Sequence, residues 1–185
     1  MSLIDIALTG FLIWSGMDVA ASRPATQIPP RLNEATVVLS VKLTGYNAVP
    51  EQTDGDPHMT ASGALSNPEV IAARSRDLAE TLPYGTVIVL EAPEKKEFSC
   101  GFKAVEHLVG YRVIADSMHE RKEGQVDVMF DSANVVLVGD KTINPAVATG
   151  ICKVTVRVVG KIPVKDIPET QAELAKFVNR KFAMR

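Results

Sequence analysis

From Ala35 onward, Val37, Leu39, Val41 and Leu43 alternate with Val38, Ser40, Lys42 and Thr44, the two-residue period of a strand with one buried face. Short runs rich in β-branched residues follow at 86–90, 112–115, 126–130, 135–138 and 154–159, separated by clusters of Gly, Pro, Asn and Asp. These intervals are too short for a crossover helix after every strand, so the pattern predicts a small β-barrel or sandwich. Two helices are expected. One spans 69–82; the other spans 168–182, with Asp166 as its cap, Glu169 three residues later, and Leu174, Phe177, Val178 and Phe182 on one face.

The chain ahead of the first strand has a different character. Residues 1–22 contain an apolar run from Ile6 to Met17 followed by the small residues Val19, Ala20 and Ala21, which reads as an export segment or N-terminal anchor. Asp5 stands where such segments carry positive charge, and twelve residues are too few to cross a bilayer, so a buried N-terminal helix is the competing reading. Residues 23–34, with three prolines, read as an extended linker. A barrel domain over 35–160 and a basic helical extension over 161–185 complete the division.

Composition narrows the function. The 185 residues are 46% hydrophobic and 23% charged, enough apolar material for a packed core. Twenty Lys and Arg stand against 22 Asp and Glu, a balance unsuited to neutralising phosphates, so no nucleic-acid partner is expected. Membrane contact is expected only through the N-terminal segment. His58, His107 and His119 are scattered, and no second His or Cys lies at ligand spacing, so neither a metal nor another cofactor is expected. The acidic spacing of 52–58 lacks the bidentate Glu of a calcium loop and reads as a turn. Nucleophile elbows and phosphate-binding glycine loops are absent from the sequence. Cys100 and Cys152 are either one bridge or two small buried side chains.

Carboxylates remain as the candidate chemistry. Asp116 ends one predicted strand, and Asp127 lies in another where Val126, Val128 and Phe130 point the other way. If 117–124 folds as a hairpin, the two carboxyl groups meet, and like charges at close range raise one pKa. A carboxylic acid kept protonated near neutrality suits glycosidic cleavage. The structural alternative is that these aspartates cap turns or pair with Arg74, Arg112 or Arg121.

Four ordered blocks bear on that choice: LTGYNAVPEQTD at 43–54, continuing through Thr60, Ala61, Ser62 and Gly63; AARSRD at 72–77, leading to LPYGT at 82–86; YRVIADSMHER at 111–121; and VDVMF at 126–130. Together they resemble the 3D (three-aspartate) domain family, similar to the catalytic domain of MltA-type lytic transglycosylases and stationary-phase-survival cell-wall enzymes. The resemblance implies a mainly β fold, a six-stranded double-psi β-barrel with one or two short helices and a C-terminal helix. It implies peptidoglycan glycan strands as the partner, with cleavage between N-acetylmuramic acid and N-acetylglucosamine to a 1,6-anhydro product.

The resemblance further implies that Asp77, Asp116 and Asp127 face one groove. Asp127 is then the acid/base, Asp116 the group that keeps it protonated, and Asp77 the residue that orients the pair. Thr60, Ser62 and Gly63 would line the groove. With Trp14 in the export segment, Tyr46, Tyr84, Tyr111 and the Phe residues are the candidate sugar-binding platforms, each Tyr having ordinary strand packing as its alternative. The stretch after Asp116 lacks the glycines of the survival-type enzymes, so its covering loop differs. An exported enzyme and a non-catalytic wall-binding or structural barrel share this fold, which does not itself separate them.

Overall fold

The computed structural model describes residues 37–53, 56–92 and 100–183. The expected export segment, the linker and Asp54 of the first motif lie outside the described residues, as does the side chain of Phe182. The elements are β1 (Val38–Asn47), β2 (Ile71–Arg74), β3 (Thr86–Glu91), α1 (Phe102–Val109), β4 (Tyr111–Ser117), β5 (Gln125–Phe130), β6 (Val136–Val138), β7 (Lys141–Ile143), α2 (Pro145–Thr149), β8 (Cys152–Lys161) and α3 (Gln171–Ala183).

Six strands close into a barrel in the order β1-β5-β2-β4-β3-β8. The β1–β5 and β2–β4 pairs are parallel and the other four antiparallel. Alternation decides what fills it. Val41, Leu43, Ala72, Ile88, Leu90, Ile114, Val126, Val128, Val154 and Val156, from all six strands, form one buried cluster, the barrel interior. Tyr46, Ile71, Ala73, Val87, Val113, Ala115 and Met129 form a second cluster with Leu174 and Val178 of α3, on the opposite face. Gly45 is required where β1 passes α2, because a Cβ there would lie 2.8 Å from the Ala146 Cα and from the Phe130 ring.

The barrel has the expected six strands but not the expected six segments. Of residues 135–138, Val136–Val138 form β6, which pairs only with β7, in a separate hairpin. Their place in the barrel is taken by β2, inside the segment predicted as a helix over 69–82. Ile71, Ala72, Ala73 and Arg74 are all buried, because β2 lies between β4 and β5 and is covered on both faces. A strand buried on both faces shows no two-residue period, and alanines with arginine read as helix formers. A 3-10 turn at Arg76–Leu78 follows.

The C-terminal helix forms one turn later than predicted. Its capping box is Thr170 with Glu173: the Glu173 N–H donates to Thr170 Oγ1 at 3.3 Å, and the Thr170 N–H donates to Glu173 Oε2 at 3.3 Å. Asp166 lies instead in the 3-10 turn Val164–Asp166. Leu174 and Val178 are fully buried as expected, each contributing about 2 kcal/mol.

Two buried arginines occupy opposite ends of the barrel. Arg112 donates to the carbonyls of Leu108, Val109, Pro68, Ile71 and Met129. It thereby satisfies the last turn of α1, a favourable place for a cation. Burial nonetheless lowers its pKa to about 10. Arg74, paired with the far end of β4, donates to the carbonyls of Leu82 and Ser75 and stacks on Tyr84, with its guanidinium carbon 4.9 Å from the ring centre. Cys100 and Cys152 form a disulfide that ties the chain entering α1 to the start of β8.

Candidate functional site

The two aspartates on neighbouring motifs meet, but not through a hairpin. β4 and β5 do not pair with each other; both pair with β2. On one side Ala73 is in register with Asp127, and on the other with Asp116. Asp127 is in turn in register with Thr44 of β1. Thr44, Asp127, Ala73 and Asp116 therefore form one row across four adjacent strands, and residues in register point to the same face.

That row depends on a register shift. Ala72 is opposite Ile114, whereas Ala73 is opposite Asp116, so Ala115 is an extra residue on β4. Ile114 points into the barrel, and strict alternation would turn Asp116 inward as well. The bulge turns it outward instead, beside Asp127.

An open cavity of about 490 Å³ lies over this face, lined by Tyr46, Gln52, Thr60, Asp116, Lys122 and Asp127 together with Ala73. Asp127 forms part of its floor. Its Oδ1 is buried and meets no hydrogen-bond partner among the described residues. Burial pushes its pKa up to about 6, and the charge of Asp116 adds in the same direction. The Thr44 hydroxyl and the Lys122 charge oppose the rise. Thr44 Oγ1 accepts from Gln125 Nε2 at 2.7 Å, which leaves its own proton free for Asp127. The raised pKa anticipated from like-charge proximity thus has burial as its main cause, with Asp116 a smaller contributor.

Asp116 is held by three donors. The Ala61 and Ser117 N–H groups reach Oδ1, each at 2.9 Å, and the Tyr46 hydroxyl reaches Oδ2 at 2.8 Å. Burial and the Asp116 charge raise the Tyr46 pKa well above its ordinary value, so this phenol stays a donor. Arg74 and Arg112 serve the barrel ends, and among the described residues neither Asp116 nor Asp127 has an ion-pair partner.

The other predicted site residues separate. Asp77, which the resemblance places in the same groove, does not line the cavity. It sits in the 3-10 turn after β2 and accepts the Gly124 N–H at 3.0 Å. The Ser75 hydroxyl, with that N–H, holds its carboxyl below the usual range. Gly124 (φ +60°) immediately precedes β5 and its carbonyl accepts from the Lys42 N–H, so Asp77 helps to fix where β5 begins. Thr60 lines the cavity, but its hydroxyl bonds Ser62 Oγ and the Ala64 carbonyl within its own turn. Ser62 and Gly63 line a second cavity on the far side of that turn. Tyr46 is buried and its hydroxyl is committed to Asp116, while Tyr84 does not line the cavity and carries Arg74 on one face of its ring.

Thr44, Ala73 and Lys122 were not singled out from the sequence. Thr44 had a usable signal, since it lies two residues before Tyr46 on one strand and so shares its face. Ala73 and Lys122 had none, because their place follows from strand order and loop path.

No protein-family model matches the chain, and no curated protein matches it. Among solved structures, a point mutant of Clavibacter michiganensis expansin in complex with cellohexaose is similar, with a TM-score of 0.38 and 13% identity. The overlap covers 69% of this chain and 54% of the expansin chain, so the chain spans about half the length of that structure. What the site can do follows from its own residues.

Proposed function

We propose that the protein binds the glycan strand of peptidoglycan in the cavity over Ala73 and cleaves it as a lytic transglycosylase. The observation that carries this reading is the Asp127 carboxyl: it faces an open cavity, one of its oxygens has no protein partner, and its pKa is raised to about 6. A buried carboxyl in that state is predominantly an acid below about pH 6, which glycosidic cleavage needs.

In this reading the Asp127 proton passes to the oxygen joining C1 of N-acetylmuramic acid to its neighbour, and the C1–O bond breaks. Positive charge develops at C1 as that bond breaks. The C6 hydroxyl oxygen then bonds to C1, and its proton passes to Asp127, which restores the acid. No water is consumed, and the product carries a 1,6-anhydro ring. The Cys100–Cys152 disulfide supports an oxidising compartment, in line with an exported protein.

A second reading has a specific observation in its favour. Asp77 is outside the cavity, so the three-aspartate groove that the resemblance implies is incomplete, as in a barrel that holds a wall polysaccharide without cleaving it. Sacculi incubated with the purified protein separate the two. Anhydro-muropeptides in the mass spectrum support the enzyme; retention on sacculi without soluble products supports the binding module. Cleavage undiminished in D127N would remove Asp127 from the chemistry.

A further inference from the structure

The 58–66 segment is a short hairpin: Met59 bridges Leu65, the Thr60 N–H donates to the Ala64 carbonyl at 2.9 Å, and the Ser66 N–H donates to the His58 carbonyl at 2.9 Å. Its first arm supplies Met59, Thr60 and Ala61 to the cavity that holds Asp127, and the rest faces the second cavity. The hairpin is thus the wall between them. Met59 and Leu65 are exposed, and of its side chains only the small Thr60 and Ala64 are buried or packed on the second cluster.

Two backbone bonds fasten its tip to the sheet, and both end on the β4 bulge. The Ser62 N–H donates to the Ala115 carbonyl at 3.1 Å, and the Ala61 N–H donates to Asp116 Oδ1 at 2.9 Å. The extra residue on β4 places a carbonyl and a carboxylate side by side toward one turn. Tyr46 of β1 grips the other oxygen of the same carboxylate, so Asp116 joins three parts of the chain: β1, β4 and the hairpin. A carboxylate whose oxygens already accept from three donors is engaged as an acceptor, with little capacity left for a moving proton.

We propose that Asp116 is a positioning residue that seats the 58–66 hairpin as the cavity wall, and so governs how tightly glycan is held while Asp127 carries the proton. The role of Asp116 toward glycan rests on the reading above; its role toward the hairpin stands without it.

The full-length chain is compared with D116A and D116N by amide hydrogen exchange and by cleavage of sacculi. In D116A the amides of Ala61 and Ser62 lose protection at least tenfold while those of β5 keep theirs, and KM rises more than kcat falls. Asn keeps an acceptor for the Ala61 N–H, so D116N retains most of the hairpin protection, while loss of the Asp116 charge moves the pH midpoint of cleavage downward. Unchanged protection of Ala61 in D116A overturns the proposal. So does a D116N protein that keeps a protected hairpin yet is as inactive as D127N, since the charge itself would then be needed. If the wild-type protein releases no anhydro products, the transglycosylase reading fails, while the exchange data still decide the hairpin.

Discussion

Asp116 and Asp127 stand on either side of Ala73 in a single row of the sheet, one strand away from it in each direction. Adjacent strands are about 4.8 Å apart, so the two aspartate backbones are separated by about 10 Å. The methyl group of Ala73 is the only side chain between them in that row. The separation leaves space above Ala73 that a longer side chain would fill.

Ala73→Leu is therefore expected to abolish glycan binding and cleavage, at a stability cost of about 1–3 kcal/mol from overpacking. Ala73→Ser fits the same space and should retain binding. Titration with a glycan oligosaccharide, alongside urea unfolding, checks both; a Leu variant that binds like wild type would place the substrate elsewhere.

Asp127→Asn should reduce release of anhydro-muropeptides by about 10² to 10⁴-fold, the usual contribution of a positioned acid. Asp77→Asn, whose carboxylate does not line the cavity, should lose far less. Mass spectrometry of digested sacculi measures both.

The pH dependence has a definite sign. Burial lifts the Asp127 pKa from 3.8 to about 6, so between those values the folded chain keeps a proton that the unfolded chain releases. The stabilising contribution is complete below about pH 4 and is lost as pH rises through 6. At about 1.4 kcal/mol per pH unit it amounts to about 3 kcal/mol. Urea midpoints should show D127N gaining on wild type between pH 4 and pH 7. For cleavage, kcat/KM should fall about tenfold per pH unit above 6; a flat profile from pH 5 to 8 would contradict the acid role.

Reducing the Cys100–Cys152 bridge, or replacing both residues by Ser, should cost about 2–4 kcal/mol. Comparing thermal unfolding with and without reductant gives the value. The cavity floor lies on other strands, so oligosaccharide affinity measured well below the melting point should be unaffected.

Arg112→Met should be among the most damaging single changes, about 3–5 kcal/mol, because it strands several buried carbonyls that the guanidinium now satisfies. Arg112→Lys should recover only part of that, since one ammonium cannot reproduce the fork that meets both α1 and β5. Urea denaturation ranks the three proteins.

Much of the fold was legible in local pattern. Alternation over 37–44 and the apolar row Val126, Val128 and Phe130 identified β1 and β5 and the direction in which Asp127 points, because a strand with one face on a core must repeat every two residues. The face of α3 was equally plain at Leu174, Phe177 and Val178. β2 was not, since a strand covered on both sides leaves no period to read. α1 was missed too, although Phe102, Val105 and Val109 mark its buried face, because eight residues give barely two turns of evidence.

By itself the sequence determined a six-stranded β fold, the identity of Asp116 and Asp127 as candidate acids, and the outward aim of Asp127, all of which depend on neighbours a few residues away. Only tertiary structure decided that β2 comes between β4 and β5, that the Ala115 bulge turns Asp116 to the same side as Asp127, and that Asp77 stays apart. Those outcomes depend on strand order, on register and on which surfaces exclude water. These relations link residues tens of positions apart in the chain, and no local period records them.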